Sequence, residues 1–270
     1  MTSVLTGTLI LFCALLVWVR WQERANLFFP SADLYLTPAD LGLTFKDVRF
    51  GSAGNTLHGW YIPGEGEQVV LWLHGNAGNV SDRADMAVAM NGALGVSSFL
   101  FDYRGYGRSS GRPTEKGLYE DAAAAFRWLA ETKGIAPGDI FLYGHSLGSV
   151  AAVDLALGAG KGAGGLVLES PFTGARDIAR MIYAGLPVDL FMSLKLDNVG
   201  RVGKVAMPVL VIHGEADGTI PFEMGRKVFE AAAEPKRFLG IPGADHSDCY
   251  IVGGENYWSE WKKLLDQSQR

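Results

Sequence analysis

A serine becomes a nucleophile when a base takes its proton and an acid holds that base in place. The candidate nucleophile here is Ser146, inside Gly144-His145-Ser146-Leu147-Gly148. The apolar run Ile140-Phe141-Leu142-Tyr143 feeds directly into it, and the small-residue helical pattern Val150 to Leu157 follows. Strand, tight turn and helix in that order lift a serine hydroxyl clear of a sheet and aim the amides of the new helix at the reacting centre. Gly144 and Gly148 suit such a turn because neither carries a side chain, one near the strained backbone and the other against the helix.

The base must come from five histidines, His58, His74, His145, His213 and His246. His58 lies inside a strand candidate and reads as structural. His145 is adjacent to the serine and cannot curl back onto it. His74 and His213 each end a strand and precede a glycine, which pins them there. His246 sits in the loop Pro242-Gly243-Ala244-Asp245-His246-Ser247, after the last strand candidate, where an imidazole can be delivered to the sheet edge. Elimination makes His246 the candidate base. The candidate acid is Asp217, a short loop beyond the strand Val209 to Ile212. Glu169, at the end of the preceding strand, is the alternative acid. Glu215 reads as an exposed loop residue, and Asp245 and Asp248 stand too close to His246 in sequence to hold its far ring nitrogen. An acyl-transfer centre also needs donors for an oxyanion. The Leu147 amide and an amide from the Gly-rich loop His74 to Asn79 are the candidates, Asn76 first and Ala77 next.

The elements that must position these groups follow from hydrophobic pattern. Val69 to Leu73, Ser98 to Phe101, Ile140 to Tyr143, Leu166 to Leu168 and Val209 to Ile212 are short, continuous apolar runs, as in strands buried on both faces. Helical patterns fall between them, over Ser81 to Met90, Glu115 to Thr132 and Val150 to Leu157. Such alternation predicts parallel strands with right-handed crossovers, an α/β sandwich. Thr44 to Phe50 and Thr56 to Ile62 read as a hairpin in front of it. Between Phe172 and Lys204 no strand is predicted; residues 176–186 and 188–196 read as two short helices split by Pro187. They form an ordinary crossover or a small apolar cap. Gly158 to Gly165 lacks the Lys-Ser/Thr of a phosphate cradle and reads as a flexible loop.

Composition narrows the class. The 270 residues are 48% hydrophobic and 20% charged, with a net charge of −5 and no basic cluster, which argues against nucleic-acid binding. Cys13 and Cys249 offer neither a disulfide framework nor metal-ligand spacing. From Val4 to Val19 there is no charge, and Met1 to Val19 is just long enough to span a bilayer. No Lys or Arg precedes that run and no small-residue cleavage site follows it, so residues 1–24 are expected to be an uncleaved transmembrane anchor rather than a signal peptide. The rest, 25–270, is expected to be one catalytic domain with its cap or crossover at 172–204. Arg20 and Arg24 on the C-terminal flank favour a cytoplasmic domain.

Taken together, the His74 to Asn79 loop, the Asp102 to Gly111 run, the Ser146 pentapeptide, His213-Gly214-x-x-Asp217 and Asp245-His246 resemble the α/β-hydrolase superfamily, in particular its membrane-anchored abhydrolase-domain serine hydrolases and their bacterial relatives. Ser146, Asp217 and His246 stand in that family's chain order. The resemblance implies a mostly parallel eight-stranded sheet, an acyl-enzyme, and no metal or organic cofactor; it makes the Asp102 to Gly111 run structural. The spacing in Asp217-Gly218-Thr219-Ile220-Pro221 is shorter than is common there. The expected activity is hydrolysis of a carboxylic ester or thioester of a small-molecule or lipid acyl substrate, with fatty-acyl thioesters as one class. A serine peptidase acting on aminoacyl amides and a catalytically silent membrane-bound binding module are the alternatives.

Overall fold

The computed structural model describes residues 2–267, the side chains of 2–5, 11, 24 and 25 excepted. Eight strands form one sheet: β1 (Lys46–Ser52), β2 (Asn55–Ile62), β3 (Val69–Leu73), β4 (Ser97–Phe101), β5 (Ile140–His145), β6 (Gly165–Glu169), β7 (Val209–Gly214) and β8 (Lys236–Ile241). Their order is β8-β7-β6-β5-β3-β4-β2-β1, with β2 antiparallel to both β1 and β4 and every other pair parallel. The central strands are apolar throughout because both faces are covered. Along β3, Val69, Leu71 and Leu73 enter one core while Val70 and Trp72 enter the other; Ile140 and Leu142 alternate with Phe141 and Tyr143 in the same way along β5.

Two helical layers close those cores. On one face lie α3 (Glu115–Arg127), α4 (Gly148–Leu157), α6 (Val199–Val202) and α7 (Phe222–Ala231); on the other lie α2 (Ala84–Leu94) and α8 (Cys249–Gln267). The fold is therefore the expected three-layer α/β-hydrolase sandwich. Helix α3 begins where the Thr114 hydroxyl accepts the Gly117 amide at 2.9 Å and widens into a π turn over Trp128–Thr132.

The region 172–204 departs from expectation. Helix α5 (Ala175–Ile182) is present, but the second helix expected over 188–196 shrinks to a single 3-10 turn, Val188–Leu190. The amides that would extend it are taken by carboxylates. Glu23 accepts from the Ser193 and Leu194 amides at 2.5 and 3.1 Å, and Glu115 accepts from the Lys195 amide at 3.0 Å.

The amino-terminal stretch forms α1 (Thr2–Ala25). Its expected role as a bilayer-spanning anchor finds no support: among the described residues no helix is long and apolar enough to cross a membrane. Met1 and the side chains of several residues in the expected span lie outside the described set. What the fold does show is that the last turns of α1 pack on the 172–204 region, with Val19 buried against Ala179 and Val188. Beyond α1 the connector wraps onto the domain, and Phe29–Pro30 pairs in parallel with Ala77–Gly78 in the loop after β3.

Candidate active site

Parallel strands bring their C-terminal ends to one edge, and ligand sites in such sheets gather there. The turn after β5 meets that edge beside the loop after β3, because the two strands are neighbours and Leu73 pairs with Gly144. Ser146 occupies the turn with φ at +53°, the left-handed region, which costs a residue bearing a Cβ about 1–3 kcal/mol. Surrounding bonds hold it there. Its amide donates to the Glu169 carbonyl at 2.9 Å, and its carbonyl accepts from the Ser149 hydroxyl at 2.6 Å. Asn198 in turn donates to the Ser149 Oγ at 2.8 Å and to the Phe172 carbonyl at 2.9 Å.

The strain sits on the serine itself; the flanking glycines serve close approach instead. A Cβ at Gly148 would lie 1.8 Å from the Leu73 carbonyl oxygen, against the end of β3 rather than against the helix. A Cβ at Gly144 would lie 2.6 Å from the Gly148 oxygen and 2.7 Å from the Ala152 methyl, so this is the glycine that lets α4 pack on β5. Gly75 brings the loop after β3 onto the Ser146 turn: its missing Cβ would stand 3.5 Å from that of Ser146.

That loop is clamped through its carbonyls. The Asn76 oxygen accepts from the Phe29 amide at 2.8 Å and from the Tyr106 hydroxyl at 2.7 Å, and the His74 oxygen accepts from the Tyr103 hydroxyl at 3.3 Å. Asn76, Ser146 and Leu147 line the floor of one cavity of about 360 Å³. Its walls are mainly apolar, drawn from α5, the stretch Val188 to Leu196, and α1.

His246 and Asp217 meet on the same edge. The His246 Nδ1–H donates to Asp217 Oδ2 at 2.8 Å. The Asp217 carboxylate is wholly buried, and its other oxygen accepts from the Thr219 and Ile220 amides at 2.9 and 2.8 Å. His213 Nε2 stands 3.2 Å from Oδ2 and also donates to the Ile220 carbonyl at 3.0 Å. Burial works to push the Asp217 carboxyl up, but the hydrogen bonds from His213, His246 and the Ile220 amide outweigh it and hold the group well below the usual carboxylate range. Asp217 is thus a fixed anion, suited to orienting an imidazole and steadying its cationic form.

The remaining candidates have other partners. Glu169 is buried and accepts from the Tyr257 hydroxyl at 2.6 Å; burial raises its carboxyl to about 7. His58 is buried between Asp47 and Asp102, 3.5 Å from the latter. His74 donates from Nδ1 to the Gly75 carbonyl at 2.8 Å, and burial lowers its pKa to about 3. Glu215 is exposed. Asp245 Oδ1 accepts from the amides of Gly218 and His246, at 2.9 and 2.7 Å, so it braces the loop rather than the imidazole. In the Asp102 to Gly111 run, Asp102 accepts the Val80 amide at 2.9 Å, and Arg104 forks onto buried Asp121 at 2.7–3.2 Å. Both contacts are structural.

Three supporting residues escaped the sequence reading. His145 was set aside as a base, yet its Nε2–H donates to the His246 carbonyl at 2.9 Å, with the rings 4.9 Å apart; burial lowers its pKa to about 3, so it is neutral at pH 7. Ser170, at φ +46°, donates to the same carbonyl at 3.3 Å. His213 braces Asp217. The available signals are the adjacency of His145 to Ser146 and the four-residue step from His213 to Asp217, and neither carries meaning without the sheet edge that gathers them.

Comparison with known proteins agrees with this fold. Residues 64–198 match the family described as "Serine aminopeptidase, S33". The chain is 38% identical over 257 residues to "Uncharacterized protein Rv2307c" of Mycobacterium tuberculosis, covering 94% of this chain and 90% of that one. It is 34% identical over 202 residues to human "Alpha/beta hydrolase domain-containing protein 17B", covering 73% of this chain and 66% of the human protein. Among solved structures, the Pyrococcus furiosus esterase Pf2001 superposes with a TM-score of 0.73 at 22% identity, covering 90% of this chain and 98% of the esterase, a likeness of fold alone. With the sheet order, the strained Ser146 turn and these relatives in agreement, the chain belongs to the α/β-hydrolase superfamily.

Proposed function

We propose that this hydrolase-family protein cleaves carboxylic esters or thioesters through Ser146, His246 and Asp217 by way of an acyl-enzyme. The observation that carries the reading is the left-handed Ser146 on the floor of an apolar cavity, beside Asn76 and Leu147 and on the edge that holds the His246–Asp217 pair. His246 takes the Ser146 proton as the oxygen attacks the acyl carbonyl. The amides of Asn76 and Leu147 receive the oxyanion, and Asp217 keeps the imidazole in the Nδ1–H tautomer and steadies its positive charge. The leaving alcohol or thiol takes its proton from His246, and water repeats the cycle to release the acid. An apolar lining favours an acyl chain over a charged peptide terminus.

The test is covalent labelling with a fluorophosphonate probe, followed by hydrolysis of p-nitrophenyl esters, acyl thioesters and aminoacyl p-nitroanilides. Wild type is expected to label and to turn over esters and thioesters. Ser146→Ala is expected to fold, to lose all labelling and to lose activity by at least about 10⁴-fold. Preferential cleavage of the anilides would move the reading to a peptidase, for which the matched family's name is the supporting observation. A folded wild type that neither labels nor hydrolyses would sink it altogether.

A further inference from the structure

The cavity above Ser146 draws part of its wall from a segment far away in sequence. Trp18, Val19 and Gln22 of α1 line it, opposite Ile178 and Met192 of the cap region. The helix is fastened in that position. Glu23 accepts from the Ser193 amide and hydroxyl at 2.5 and 2.7 Å and from the Leu194 amide at 3.1 Å. Gln22 donates to the Tyr183 hydroxyl at 3.0 Å. Trp18 meets the Tyr183 ring edge-on at 5.8 Å, and Phe12 meets Phe191 at 5.4 Å. Val19 is 3% exposed, in a small cluster with Ala179 and Val188 that is separate from both main cores.

The same segment then reaches the oxyanion loop. Leu27 also lines the cavity, and two residues on, the Phe29 amide bonds the Asn76 carbonyl. One continuous stretch thus walls the pocket and grips the loop beside the nucleophile.

We propose that α1 is a built-in wall of the acyl-chain site and that Val19 and Trp18 set how long a chain the site accepts. The inference rests on the ester-hydrolase reading above. The ligand class follows from shape and lining. Pockets for small ligands run to roughly 300–1,000 Å³. At about 360 Å³ this one is near the small end, and it is apolar along its sides with the nucleophile at its floor. A single unbranched acyl chain fits that description, with its carbonyl at Ser146 and its tail between α1 and the cap. The polar groups on the α1 side, Gln22 and Glu23, are already engaged with the cap and leave the passage between them apolar.

The experiment compares kcat/KM of the full-length protein for p-nitrophenyl acetate, butyrate, hexanoate, octanoate, decanoate and laurate. In Val19→Trp, added bulk fills the passage. Within this variant the longer esters are expected to fall by roughly tenfold or more relative to butyrate, whatever the change in butyrate itself. Val17→Trp puts the same bulk two residues away, at a position that is 67% exposed and outside the lining of this cavity, and the profile is expected to match wild type. Trp18→Ala opens the wall and is expected to shift preference toward longer chains, which decides the matter if Val19→Trp fails to fold. Folding is read from labelling of Ser146 by a small ethyl fluorophosphonate. Unchanged chain-length profiles in both Val19→Trp and Trp18→Ala would overturn the role of α1 while leaving the hydrolase reading intact. A folded wild type that hydrolyses none of the esters would bring down both.

Discussion

The floor and the roof of the site are built on opposite principles. The floor, made by the ends of β3, β5, β7 and β8, is packed closely enough that one added methyl would clash. Gly148 leaves no room for a Cβ beside the Leu73 carbonyl, Ser146 is held in a left-handed conformation by bonds to Glu169 and Ser149, and the Asp217 carboxylate accepts hydrogen bonds on both oxygens. The roof, made by α1, α5 and the irregular stretch to Leu196, is tied together by side-chain contacts but leaves many of its apolar side chains exposed. Its helices are short or peripheral, and Met181, Ile182, Leu186 and Leu190 are 43%, 62%, 55% and 72% exposed. The proposed chemistry accounts for the difference. Proton transfer and nucleophilic attack fail when groups move by about 1 Å, so the groups that perform them need a rigid, over-determined frame. An apolar tail needs only area and exclusion of water, and those tolerate slack.

If that contrast is right, the largest effect should come from a single methyl group on the floor. Gly148→Ala forces a Cβ into the Leu73 carbonyl and is expected to cost at least about 4 kcal/mol, leaving little labelled or folded protein. Ile182→Ala on the roof removes far more volume from an exposed position and is expected to stay within about 0.5 kcal/mol of wild type in a urea titration. Comparable losses in the two variants would erase the distinction.

Next in size, Asp217→Asn keeps the shape of the floor but turns an anion into a neutral amide beside His246. Esterase kcat is expected to fall on the order of 10⁴-fold, as for other triads deprived of this charge. A fall under tenfold would show that another group orients the imidazole, with Glu169 the carboxylate to examine.

The smallest effect is one of pH. Burial raises Glu169 to about 7 from an ordinary value near 4.5, so between those values the folded protein holds a proton that the unfolded chain has released. Its contribution is therefore fully present below about 4.5 and is lost as pH rises through 7. His74 and His145 act in the other direction. Lowered to about 3 by burial, they cost stability as pH falls below the ordinary histidine value near 6.5. The two slopes overlap in wild type, so the informative quantity is a difference. Glu169→Gln retains an acceptor for Tyr257, and its stability relative to wild type is expected to increase from pH 5 to about pH 7 and to level off toward pH 8. A flat difference across that range would mean that Glu169 titrates like an exposed carboxylate.

Much of the floor was legible in the sequence, and little of the roof. The strands β3 to β7 announced themselves as short apolar runs because both faces of a parallel sheet are covered, and helices fell between them at the expected intervals. The hairpin of β1 and β2 followed from alternation. His246 and Asp217 were reached by elimination and chain order, and in the structure the two are hydrogen-bonded to each other. The roof resisted because its pattern is not periodic. Residues 188–196 carry enough apolar side chains to suggest a helix, yet their backbone amides are bound by Glu23 and Glu115, and no local signal announces a carboxylate arriving from another segment. The apolar leader reads as a membrane span from its length, its lack of charge, its flanking residues and its missing cleavage site, and none of these registers that its last turns pack on the 172–204 region.

What the sequence determined by itself is what depends on neighbours along the chain: the succession of strands and helices, the tight turn that carries Ser146, and the restriction of the chemistry to one serine and a handful of histidines. Only the tertiary structure decided that Asp217 rather than Glu169 reaches His246, that His145 holds a carbonyl, and that α1 lines the cavity above Ser146. Each of these is a contact across long stretches of chain, selected by burial and hydrogen-bond satisfaction over the whole fold. Spacing along the chain carries no record of them. The turn at Ser146 shows both levels at once, since its residue types are local while the bonds that keep it strained come from β6 and α4 and, through Ser149, from Asn198.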